Sequence, residues 1–201
     1  MKLTRLLFIF LLIFSAGVIA IPQNSFAETE NAVNIGAKGL VGPDISASVV
    51  FVEYERLTSN KISLVGRIGQ LDYEYDDGVY IEEGDGPGVE VGLRFYPAGN
   101  GMKGFYLGAN GGFWFTDWTW RDDVGKSYET KGSGSSTAFD INFELGGRLG
   151  SEKFVIIPTF NIGNFLSISD ECSRTGSSAS CDKGTELGFY AIIGLALGIG
   201  F

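Results

Sequence analysis

A side-chain pattern that alternates apolar with small or polar residues, period two, has one regular home. In a β-strand successive residues point to opposite faces. Four stretches of this 201-residue chain alternate in that way. Phe139, Ile141, Phe143, Leu145 and Leu149 interleave with Asp140, Asn142, Glu144, Gly146 and Arg148. Val89, Val91, Leu93 and Phe95 oppose Glu90, Gly92, Arg94 and Tyr96. Phe105, Leu107, Ala109, Phe113 and Phe115 oppose Tyr106, Gly108, Asn110, Gly112, Trp114 and Thr116. The last run carries Leu187, Phe189, Ala191, Ile193, Leu195, Leu197, Ile199 and Phe201 against Glu186, Gly188, Tyr190, Gly194, Gly198 and Gly200.

Weaker alternation over 31–41, 45–56, 60–73 and 153–166 brings the predicted strands to eight. The second is ambiguous in register, because Val49-Val50-Phe51-Val52 is apolar on both faces. Connections at 57–59, 98–102 and 150–152 read as short turns, and Gly42-Pro43-Asp44 as a tight one. Residues 74–87, 120–135 and 167–185 read as long polar loops.

The first 27 residues stand apart. Lys2 and Arg5 precede an apolar run from Leu6 to Phe14, and Ser25-Phe26-Ala27 places small residues at the −3 and −1 positions of a cleavage site. This is the layout of a secretory signal peptide cut after Ala27, so residues 28–201 are expected to form the folded domain. The alternative, an uncleaved anchor, has an apolar core short of the ~20 residues that a spanning helix needs.

Removing that leader leaves 13 basic against 24 acidic residues, a net charge of −11. Such a surface repels nucleic acid, and no basic stripe interrupts it. The chain has no histidine, which excludes imidazole general bases and histidine-ligated metals.

Which way the oily face points separates two closed sheets. A soluble barrel puts it inside, and a membrane barrel puts it against lipid. The other face carries Lys38, Arg67, Glu90, Arg94, Asp140, Glu144, Arg148 and Glu186 among many glycines. That composition suits a lumen filled by paired charges, with glycines making room for long side chains, better than a solvated exterior. The expected fold is therefore an all-β, eight-stranded antiparallel up-and-down transmembrane β-barrel, with short periplasmic turns and longer extracellular loops. Phe113, Trp114, Phe115, Trp118 and Trp120 at one end, and Phe95, Tyr96, Phe105 and Tyr106 at the other, read as two interfacial aromatic belts.

The terminal Phe201 with Ile193, Leu195, Leu197 and Ile199, and the hairpin Gly92-Leu-Arg-Phe-Tyr-Pro97 with Gly104-Phe-Tyr-Leu-Gly-Ala109, resemble the small outer-membrane β-barrel superfamily of the OmpA transmembrane domain, OmpX and OmpW. The resemblance implies an outer-membrane location, and recognition of residues 193–201 as a C-terminal signal by the barrel-assembly machinery. It carries no catalytic position across. Lipid-modifying barrels and omptin-type proteases rely on histidine, which is absent here. Asp140 and Glu144 stand roughly 13 Å apart along one strand, too far to share a proton.

In an oxidising compartment Cys172 and Cys181 are expected to pair as a disulfide closing the last long loop. The run from Asp72 to Asp85 holds seven acids and no base, and Asp72, Glu74, Asp76 and Glu83 match calcium-loop spacing except that Asp77 replaces the glycine. A solvated acidic loop is the main reading. Divalent cations bridging it to lipopolysaccharide are the alternative. No cofactor is expected. The leading function is a structural or surface-interaction barrel with a filled lumen. OmpW-like passage of small apolar molecules through the wall is second, with Val155, Ile157, Phe165, Tyr190 and Ile192 as inward vestibule candidates. A histidine-free lipid enzyme ranks last.

Overall fold

The computed structural model describes residues 30–41, 44–98, 101–151, 153–174 and 188–201. The expected leader lies outside them, as do Glu186 and Cys181. Eight strands follow in order: β1 (Asn31–Val41), β2 (Ile45–Ser59), β3 (Ile62–Asp76), β4 (Tyr80–Phe95), β5 (Gly104–Asp122), β6 (Thr130–Gly150), β7 (Val155–Arg174) and β8 (Phe189–Gly200). Each pairs antiparallel with its sequence neighbours, and β1 closes the ring on β8 from Ala32↔Gly200 to Gly39↔Ile193. Closure leaves no free edge along that ladder, and the termini meet where Asn31 and Phe201 exchange backbone hydrogen bonds.

Two of the expected long loops are mostly strand. β3 and β4 leave only residues 77–79 between them, and β5 and β6 leave only 123–129. The ladder continues because alternation does not stop where the apolar face does. Beyond Phe115 the outer positions become polar while Thr116, Trp118 and Trp120 keep the inner row filled. At the opposite end the β4–β5 connection turns through Gly101 and Gly104, both at positive φ (71° and 72°), where other residues are strained.

The oily face looks outward all round. Ile35, Ile68, Val91, Phe143 and Leu195 are each more than half exposed, whereas the interior holds charge, amide and aromatic groups. The two expected aromatic belts are corrected by this orientation. Tyr96, Tyr106, Trp114, Trp118 and Trp120 are buried inside the cylinder, and of those clusters Phe95, Phe113 and Phe115 face out.

The inward rings lie on glycines. Tyr73, Trp114, Trp120, Trp118, Tyr106 and Tyr190 stand directly across the ladder from Gly84, Gly88, Gly132, Gly134, Gly146 and Gly163. A Cβ on Gly134 would sit 2.3 Å from the Trp118 ring, and one on Gly146 the same distance from Tyr106. The rings thus use space that only glycine leaves. We expect Gly134→Leu to cost about 1–3 kcal/mol by overpacking, read as a lower urea midpoint for unfolding in detergent. Gly66→Leu, where nothing lies within 4 Å of the added Cβ, is the matched control and should unfold near the wild-type midpoint.

Candidate functional site

The register builds the interior. One ring of inward positions reads Asn34, Glu53, Arg67, Glu90, Gly112, Asp140 across β1 to β6, so signs alternate until a glycine interrupts them. Two rings further down, past Gly92, Asn110 and Asn142, Gly108 separates Arg94 from Glu144, and the missing side chain lets those two meet across it.

Arg94 is the hub. Its guanidinium donates to Glu53 at 2.7 and 2.8 Å, to Glu55 at 2.6 Å and to Glu144 at 2.7 and 3.0 Å, while lying 4.4 Å from the Tyr106 ring centre. Arg67 bridges Glu53 and Glu144, and Arg148 donates to Glu55 at 2.7 Å. Lys38 stands 3.8 Å from both Glu90 and Glu144. Hydroxyls add to the shell: Tyr96 and Ser63 donate to Glu55, and Tyr106 donates to Glu144. Four cations thus meet four carboxylates away from water, which is the condition for burying charge at tolerable cost.

Seven of the eight residues expected in this network are inside and buried: Lys38, Arg67, Glu90, Arg94, Asp140, Glu144 and Arg148. Asp140 differs from the expectation, because among the described residues it forms no ion pair. It accepts from Tyr190 at 2.7 Å and from Asn142 at 2.6 Å. Glu53 and Glu55 hold the places that the sequence left blank, both almost fully buried at the centre of the network. Their alternation was masked by apolar Val49 and Phe51, which share their face higher up the same strand.

Above the charges the lumen is hollow. A chamber of about 100 Å³ is walled by Val49, Leu71, Trp114, Phe165, Tyr190 and Ile192, with Lys38, Glu90 and Asp140 among its lining residues. Beyond it an open mouth of about 920 Å³ is lined by Tyr73, Gly84, Trp118 and Gly134. Of the vestibule candidates, Phe165, Tyr190 and Ile192 line the chamber; Val155 and Ile157 are buried and do not.

The acidic run does not form a calcium-type loop. Asp72 and Glu74 on β3 pair with Asp85 and Glu83 on β4, all exposed. Asp76 and Asp77 accept backbone N–H groups of Gly78, Val79 and Tyr80 and so shape the turn. Glu82 points inward and takes the hydroxyls of Tyr73 and Tyr80. Among the described residues no group of three acids is placed to hold a metal ion. Cys172 lies on β7, partly buried against the core; its expected partner Cys181 lies outside the described residues. Leu195, Leu197 and Ile199 on β8 and Phe201 just past it, all of the expected assembly signal, are exposed, and Ile193 pairs with Gly39 at the closing seam.

A closed up-and-down cylinder, oily outside and ion-paired inside, is the fold of the small outer-membrane β-barrels. Solved structures agree. The translocator domain of the autotransporter NalP from Neisseria meningitidis matches with a TM-score of 0.51 at 10% identity, over 94% of this chain and 93% of that one. A major outer membrane protein from Thermus thermophilus matches with a TM-score of 0.52 at 12% identity, over 85% and 99%. No protein-family model and no curated protein matches the chain.

Proposed function

We propose that this chain is an integral outer-membrane barrel with a sealed lumen, which acts at the cell surface through the extended hairpins β3–β4, β5–β6 and β7–β8. The observation that carries this reading is the pairing of an outward apolar belt with an interior filled by mutually neutralised charge. Lipid on the outside explains the first, and the absence of a water column explains the second. In this reading residues 1–27 direct export, the outward face of 193–201 is read during assembly, and lipopolysaccharide surrounds the belt. The Cys172–Cys181 disulfide stiffens the last hairpin.

A second reading, passage of small apolar molecules through the wall, draws support from the chamber under the mouth. The ion-paired layer beneath it argues for binding at a dead end over flow. In planar bilayers the purified barrel should show no stepwise conductance. An epitope inserted at Gly125 should be reachable on intact cells, and one inserted at Lys61 should not. Discrete conductance steps, or the opposite pattern of epitope exposure, would overturn the proposal.

A further inference from the structure

The charges of the interior do not balance at its upper end. Lys38, Arg67, Arg94 and Arg148 are matched by Glu53, Glu55, Glu90 and Glu144, which leaves Asp140 as a further carboxylate at 1% exposure. Its neighbours Tyr190 and Asn142 supply hydrogen bonds but no charge. Asn142 also donates to Glu90 at 3.0 Å, so one amide nitrogen ties the two carboxylates together across Gly112. Lys38 is already engaged with Glu90, Glu144 and Asn161. Glu82, higher up, is answered by two tyrosine hydroxyls and does not reach this level.

A buried carboxylate without a counter-ion is strongly unfavourable, so a site of this kind is relieved either by a proton or by a positive partner. The surroundings say which kind. A hard metal ion needs six or more oxygen ligands, or water in their place, and the walls here are hydrocarbon and aromatic. The Phe165 and Tyr190 rings pack 5.1 Å apart beside Asp140, a setting that attracts organic cations through their π faces. A second observation is independent of the acids. Trp114 lines the same chamber at 3% exposure, and its indole N–H has no partner among the described residues. That donor is left for the occupant, and the face of an aromatic ring on it can accept such an N–H.

We propose that the chamber is a binding site for a small organic ammonium ion with an apolar body, its charge held by Asp140 with Glu90 and its body by Trp114, Phe165 and Ile192. At roughly 15 Å³ per water-sized occupant, about 100 Å³ takes on the order of seven heavy atoms. Benzylammonium is a fitting probe; benzyl alcohol and benzoate are its neutral and anionic counterparts.

The proposal does not depend on whether the barrel conducts. Calorimetry on the whole purified barrel in detergent should show saturable binding of benzylammonium. Benzyl alcohol should bind at least ten-fold more weakly, and benzoate not measurably. Asp140→Asn, which keeps the shape and loses the charge, should weaken benzylammonium at least ten-fold. Ala47→Phe, which adds bulk at the chamber wall and leaves Asp140 untouched, should abolish binding. Equal affinity for the amine and the alcohol, unchanged affinity in Asp140→Asn, or no saturable heat with wild-type protein would each overturn it. Because the three-ligand comparison uses wild-type protein alone, it decides the matter even if both variants fold poorly.

Discussion

Arg94→Met should lower the unfolding free energy of the barrel by about 3–5 kcal/mol, the cost of removing one partner from a buried ion pair. The reason lies in what remains. Glu53, Glu55 and Glu144 would each lose a charged donor in a space that water does not fill. The methionine itself fits, being flexible and of similar length. Equilibrium urea unfolding in detergent or short-chain lipid measures the effect. Neutralising Glu53 as glutamine in the same chain should restore part of the loss, because the penalty belongs to unpaired carboxylates and Arg67 still keeps Glu144. An Arg94→Met barrel that unfolds at the wild-type urea concentration would mean that this guanidinium does not hold the network.

Phe143→Arg should be nearly as damaging for the opposite reason. Phe143 is 69% exposed midway along β6, and an arginine at the bilayer midplane of a barrel costs about 2–4 kcal/mol. Thr119→Arg provides the contrast. Thr119 also faces out, but it lies past Asp117 where the outer positions are already polar, so it should change stability by no more than about 0.5 kcal/mol. Unfolding in lipid bilayers compares the two. Equal effects would argue that no hydrocarbon touches the Phe143 level.

The strands were legible because their information is local. Phe139 to Leu149 and Phe189 to Ile199 alternate so cleanly that the face of each strand follows without a partner in view. Register was not legible, and the site depends on register. Glu53 and Glu55 were hidden because Val49 and Phe51, on the same face of β2, are apolar and buried like any core residue. The inward tryptophans were misread for a related reason. Trp118 looks like an interfacial residue until the glycine opposite it, Gly134, is known, and that pairing joins two strands. The calcium-like spacing from Asp72 falls on two paired strands because three residues suffice to turn the chain, and Asp76 and Asp77 shape that turn. Asp140 was expected to pair because a count of charges has no geometry; its neighbours across the ladder are Gly112 and Phe165, neither of them charged.

The ring-on-glycine contacts also bear on how the cylinder comes together. Between β5 and β6 they occur three times, at Trp120, Trp118 and Tyr106. Sliding these strands by two residues would set Tyr106 against Glu144 in one direction and Arg148 in the other, with no seat for the ring. A slide by one would turn every ring to the outer face. The glycines therefore act as notches on a ruler. They admit one offset while the hairpin zips, and the sum of such offsets around the wall fixes the shear, and with it the tilt and width, of the finished barrel.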